Sequence, residues 1–315
     1  MSEATALPLR VGTQADDAMA KGDLERRRAM LERVRRSGLD HVFTADHVSF
    51  HTGIGMDGLI MAATLAATAP ELAIHVGVYL LALRHPVPVA RQIAQICESA
   101  PGRLHLGVGV GGEDRHEIEI CGVDPKTRGR RTDASLAALH GLLSGEPVSA
   151  SNEFFTFDEA RIVPAPDPAV PIVVGGRADA AVRRAALLAD GWLGVWCSPR
   201  RYHSVVEEIE GIASERTLPR PAAWDHGLQV WVGLDDDRAR ARERLAKGMS
   251  DFYRIPFDPF EKYSPYGSPE EIADFLAGYA EVGCRHFNVM PVAPSVEAGI
   301  EGVAEIRERL RASVS

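Results

Sequence analysis

Lysine is nearly absent from this 315-residue chain, in which four lysines stand against 31 arginines. Lys21, Lys126, Lys247 and Lys262 fall in expected loops or helices, so a Schiff-base aldolase has no candidate amine on a strand. Cysteine is also sparse. Cys97, Cys121, Cys197 and Cys284 are scattered without a CxxC pair, which argues against a zinc ribbon or a disulfide framework and suits a reduced, cytoplasmic setting. No apolar run reaches the ~20 residues of a membrane span. The opening MSEATALPLR has no cationic stretch leading into an apolar core, so no signal peptide is expected. The net charge of −9 leaves no cationic excess for nucleic acid or an anionic membrane, and neither is expected as a partner. No low-complexity linker divides the chain, and a single domain over residues 1–315 is expected.

The most informative stretch covers residues 73–112, AIHVGVYLLALRHPVPVARQIAQICESAPGRLHLGVGVGG. Residues 74–81 form a near-continuous apolar run, as in a strand buried on both faces of a parallel sheet. Pro86 and Pro88 break it, and residues 89–97 have helical apolar spacing. Residues 104–110 read as a second buried strand ending in Gly109, Gly111 and Gly112. Both strand ends are suited to bringing backbone close to a ligand. Further strands are expected at 9–12, 40–45, 171–174, 191–195, 228–232 and 286–290, each followed by a helix. Residues 113–131 and 251–266 read as loops, helices start at 132 and at Ser268-Pro269-Glu270-Glu271, and 149–163 reads as a hairpin. Eight strand–helix units predict an α/β fold, a (β/α)8 TIM barrel with an insertion before strand five.

In such a barrel, ligands meet the C-terminal ends of the strands. Asp46 and His47 follow strand two, and histidine is the side chain that exchanges protons near neutral pH. The same pair could simply cap the following loop. His51 completes an HxxxH pattern, but no third ligand follows and Gly53 and Gly55 oppose a helix, so no metal is expected. Gly175-Gly176-Arg177 lies between a strand and a helix, where bare amides bind phosphate or merely make a tight turn. Glu113 is either an acid–base group or a solvated loop charge, and residues 79–83 are either a wall behind a flat ring or plain core.

Together FTADH (residues 43–47), the RHP after strand three, GRLHLGVGVGGEDRHE (102–117), VDPKTRGRRTDASLAAL (123–139), PIVVGGRADAAVRRAALLADGWL (171–193) and GSPEEIADFLAGYAEVGCRHF (267–287) carry a resemblance. Over nearly its full length the chain resembles the bacterial luciferase-like flavin and deazaflavin oxidoreductases. The resemblance implies a homodimeric TIM barrel binding FMN or the deazaflavin coenzyme F420. It would set Asp46 and His47 against the ring and the substrate. A non-proline cis peptide within Tyr79-Leu80-Leu81 would back the ring, beside Gly109 and Gly111. Gly175 and Gly176 would take the cofactor phosphate, with Arg177 adding charge. Where many relatives have a glutamate directly after the strand-four GxG, this chain reads Gly109-Val110-Gly111-Gly112 before Glu113; Phe50 is the nearest match to an aromatic that follows Asp-His in relatives. The favoured reading is an F420-dependent oxidoreductase that passes a hydride to or from a small organic substrate, with His47 and Glu113 handling protons. The alternatives are an FMN-dependent monooxygenase fed by a partner flavin reductase, a non-catalytic flavin-binding protein and, more weakly, a metal-dependent barrel hydrolase.

Overall fold

Eight parallel strands pair side by side until the last meets the first in the computed structural model, which describes residues 7–314 apart from 16, 21 and 52. In chain order they are β1 (Arg10–Gln14), β2 (His41–Thr44), β3 (Ala73–Leu80) and β4 (Leu104–Gly109), then β5 (Ile172–Gly175), β6 (Gly191–Val195), β7 (Gly227–Leu234) and β8 (His286–Val292). Each strand pairs with its sequence neighbours, and β1 beside β8 closes the ring, with Val11 opposite Phe287. This is a (β/α)8 barrel. A two-residue strand at Tyr266–Gly267 adds to β7 at the rim. The pair Val148–Ser151 and Thr156–Ala160 forms a hairpin ahead of β5. Lys21 and residues 1–6 lie outside the described residues. Among the described residues, no helix is long and apolar enough to cross a membrane.

Side-chain alternation builds the layers. On β4, Leu104, Leu106 and Val108 join the apolar core, while His105, Gly107 and Gly109 face the barrel interior. The helix Pro86–Ser99 buries Val89, Ala90, Ile93, Ala94, Ile96 and Cys97. It starts three residues before the expected 89, because its prolines sit in the first turn, where no N–H is needed. Replacing the fully buried Ile93 by alanine would cost about 2–5 kcal/mol.

Other expectations shift in the same way. The stretch 113–131 is not all loop. Asp114 caps a helix at Arg115–Ile120, and the helix expected from 132 begins at Arg128. The helix Arg238–Tyr253, capped by Asp237 on the amides of Ala239 and Arg240, takes the first residues of the expected 251–266 loop. It stops at Arg254, whose φ of 57° ends helical propagation. Ser268 opens its helix with a capping box closed by Glu271, as the sequence pattern predicts. Residues 47–56, by contrast, carry an antiparallel ribbon, His47–Phe50 with Ile54–Met56, that no local pattern announces.

Candidate active site

The cis peptide lies between Gly77 and Val78, not within Tyr79-Leu80-Leu81. Strand β3 slips register against β4 between Val76 and Tyr79, and the slip changes which side chains face inward. Gly77, Val78 and Leu80 line the cavity, whereas Tyr79 and Leu81 point into the apolar core. Of the residues expected in that wall only Leu80 borders the cavity, joined there by Val78. Val78 also explains the glycines around it. A Cβ on Gly109 would sit 2.4 Å from Val78 Cγ2, and one on Gly175 would sit 2.7 Å from Cγ1. These glycines make room for a valine.

A cleft of about 980 Å³, part of it open to solvent, lies at the C-terminal ends of the strands. Asp46, His47, Glu113, Gly109, Gly111, Gly175 and Gly176 border it, and Arg177 does not. Arg177 is exposed, with its guanidinium 5.8 Å from the ring centroid of Trp196. Phe50, Trp196, Trp231, Phe252 and Tyr253 supply an aromatic wall. Trp231 Nε1 donates to the Tyr253 hydroxyl at 3.1 Å, and burial pushes that phenol up, so it stays neutral. Trp196 Nε1 is buried and has no hydrogen-bond partner among the described residues.

Asp46 is committed to structure. It accepts from the amides of Gly58 at 2.9 Å and Leu80 at 2.8 Å, and from both terminal nitrogens of Arg84 at 2.5 and 2.9 Å. Burial raises this carboxyl, and Arg84 and the two amides pull against it. The bidentate pair ties the loop after β2 to the end of β3 and leaves no oxygen free for proton exchange.

His47 is placed differently. Its Nδ1 lies 3.1 Å from Glu117 Oε2, while Glu117 Oε1 accepts from the amides of Val48 and Ser49 at 2.7 and 3.0 Å. Burial acts to raise Glu117, yet the contacts with His47 and these amides hold it below the ordinary carboxylate range. An ionised Glu117 requires the proton on Nδ1, which leaves Nε2 without a partner among the described residues. Asp114 Oδ2 fixes the same ribbon by accepting from the amide of His51 at 2.7 Å. Phe50 packs 4.2 Å from the His47 ring, measured between centroids.

Sequence reading brought out Glu113 and missed Glu117. Glu113 lies exposed at the cavity mouth and makes no ion pair among the described residues. Glu117 is 3% exposed, on the first turn of the Asp114-capped helix. The signal that could have found it is Asp114 before Arg-His-Glu, a helix start that puts Glu117 at the third helical position, facing inward.

The family model described as luciferase-like monooxygenase matches residues 7–286. The chain belongs to that family. It is an enzyme of the luciferase-like oxidoreductase/monooxygenase class. An F420-dependent glucose-6-phosphate dehydrogenase from Beutenbergia cavernae is 29% identical, covering 88% of this chain and 90% of that one. A 4-hydroxyprotoasukamycin monooxygenase from Streptomyces nodosus subsp. asukaensis is 29% identical, covering 86% and 73%. Among solved structures, an F420-dependent secondary alcohol dehydrogenase in complex with an F420-acetone adduct superposes with a TM-score of 0.82 at 21% identity, covering 96% of this chain and 99% of that one.

Proposed function

We propose that this luciferase-like enzyme is an F420-dependent oxidoreductase acting on a small organic substrate. The observation that carries the reading is the His47–Glu117 pair at the border of a large cavity, with Nδ1 engaged at 3.1 Å and Nε2 left for a ligand. The cavity suits a flat tricyclic ring. Val78 and Leu80 present an apolar floor, Gly109 and Gly111 add no side chains, and the orphaned Trp196 Nε1 calls for an acceptor on the ligand. Gly175 and Gly176 open the turn ahead of the helix Asp179–Leu188, whose N-terminus would hold the cofactor's phosphate; the Gly176 amide itself donates to the Leu193 carbonyl at 3.4 Å. When bound, the deazaflavin supplies a centre that accepts or gives a hydride.

The remaining work belongs to the chain. Glu117 holds the imidazole in one tautomer, so His47 Nε2 can take a proton from a substrate hydroxyl or return one to a carbonyl oxygen. Asp46 and Arg84 anchor the loop that carries His47, and the aromatic wall excludes water. Glu113, exposed and unpaired, is left out of the proton path in this reading.

Fluorescence titration of the purified protein with F420 and, separately, with FMN tests the cofactor. Micromolar or tighter binding of F420 without comparable FMN binding is expected. The reverse preference would overturn the F420 reading in favour of an FMN-dependent monooxygenase fed by a reductase.

A further inference from the structure

Among the described residues, no free positive charge lines the cavity. Asp46 is neutralised by Arg84, His47 is held by Glu117, and among the described residues that line the space there is no lysine or arginine. The one charged lining group without a partner is Glu113, at the mouth beside Tyr253. The rest of the substrate end is aromatic: Phe50, Trp231, Phe252 and Tyr253. At this aromatic end, away from the Gly175-Gly176 turn, an anion would lose its hydration, find no cation among the lining residues and pass a carboxylate, each of which opposes binding. An uncharged apolar body would bury its surface against the rings and place a single oxygen on His47 Nε2.

We infer that the substrate is an uncharged, largely apolar alcohol or carbonyl compound, and that Glu113 is a specificity residue that turns anions away, phosphate esters of sugars included. The inference rests on the cavity being the reaction site, as proposed above. In the oxidising direction the substrate's C–H and O–H bonds break and a C=O bond forms. The two electrons leave as hydride to the deazaflavin, and the hydroxyl proton goes to His47. These side chains already line the cavity, so substrate class can be read from binding alone.

The test is calorimetric titration of the F420-saturated protein with a matched pair of probes, 2-naphthalenemethanol and its phosphate ester, 2-naphthylmethyl phosphate. The neutral alcohol is expected to bind at least about tenfold more tightly than the phosphate ester. Glu113→Gln, checked by circular dichroism for an unchanged fold, is expected to tighten phosphate-ester binding about three- to tenfold and to leave alcohol binding unchanged. Equal or tighter binding of the phosphate ester by the wild-type protein, or binding of neither probe, overturns the substrate class. An unchanged ratio in Glu113→Gln overturns the role of Glu113. The same pair titrated without cofactor separates the two proposals, since failure of F420 to bind removes the cofactor reading and leaves the probe ratio readable.

Discussion

At the mouth of the barrel His47 meets Glu117 at 3.1 Å with 18% of its side chain exposed, whereas at the floor His286 meets Asp225 at 2.8 Å with 2% exposed. Both are imidazole–carboxylate pairs bonded through Nδ1. The floor pair is sealed among like groups. His41 stacks on His75 with ring centroids 3.8 Å apart, His75 lies 4.4 Å from His105, and Arg10 donates to Asp225 at 2.5 Å. Burial drives His41 down to about 3 and His226 to about 4, and lowers His75 well below its ordinary value. These rings are held neutral. Asp225 is buried yet held far below the carboxylate range by His286, His105 and Arg10. The comparison teaches that a histidine beside a carboxylate carries no function by itself. A free nitrogen next to open space sets the mouth pair apart, which borders a cleft of about 980 Å³ against about 220 Å³ at the floor.

The sharpest way to break this contrast is to remove the imidazole at the mouth. His47→Gln should lower turnover by roughly 10²–10⁴-fold and leave unfolding free energy within about 1 kcal/mol of wild type. Steady-state rates alongside urea unfolding check both halves, and a large stability loss with intact turnover would make His47 a structural residue like His286. The mirror experiment is Asp225→Ala. It strands Arg10 and His286 in the core and should cost about 3–5 kcal/mol of stability, while F420 affinity stays near wild type in whatever protein remains folded.

Glycines make room at both ends. At the floor a Cβ on Gly227 would sit 2.1 Å from His286 Nε2, as at the mouth one on Gly109 meets Val78. Gly109→Ala should lose about 1–3 kcal/mol through overpacking, and Val78→Ala in the same chain should recover most of it. Thermal unfolding of the single and double variants decides whether Val78 is the obstacle. The smallest effect per residue is the one expected from pH. His41, His75 and His226 bind protons less readily folded than unfolded, so their contribution is complete above the unfolded value of 6.5 and is lost as pH falls below it. The loss continues towards the folded values, about 3 for His41 and about 4 for His226. At pH 5.5 it should be about 1 kcal/mol per histidine. Urea unfolding at pH 7.5 and 5.5 measures it, and equal stability at the two values would mean that the floor is open to water.

Much of the architecture was legible along the chain, because strand and helix periods are local. Gly191–Val195 was read to the residue, and Ser268 with Pro269 announced the helix Pro269–Glu281. The ribbon after β2 was not legible, since its two strands are too short for alternation to stand out from a loop. Glu117 stayed hidden for a different reason: its partner His47 is 70 positions away. The glycines on β4 and β5 were read as approaches for a ligand, and their space is taken first by Val78 of β3.

The sequence by itself determined the eight strand–helix repeats, the placing of Asp46 and His47 at a strand end, and the poverty of lysine that leaves no amine nucleophile on an expected strand. Only the tertiary structure decided which carboxylate meets His47, which side of β3 faces the cavity and which histidines are sealed away. Periodicity and composition act between neighbours in the chain. Hydrogen bonds, exclusion of side chains from occupied space and loss of solvent act between neighbours in space, and closing the barrel is what makes those neighbours.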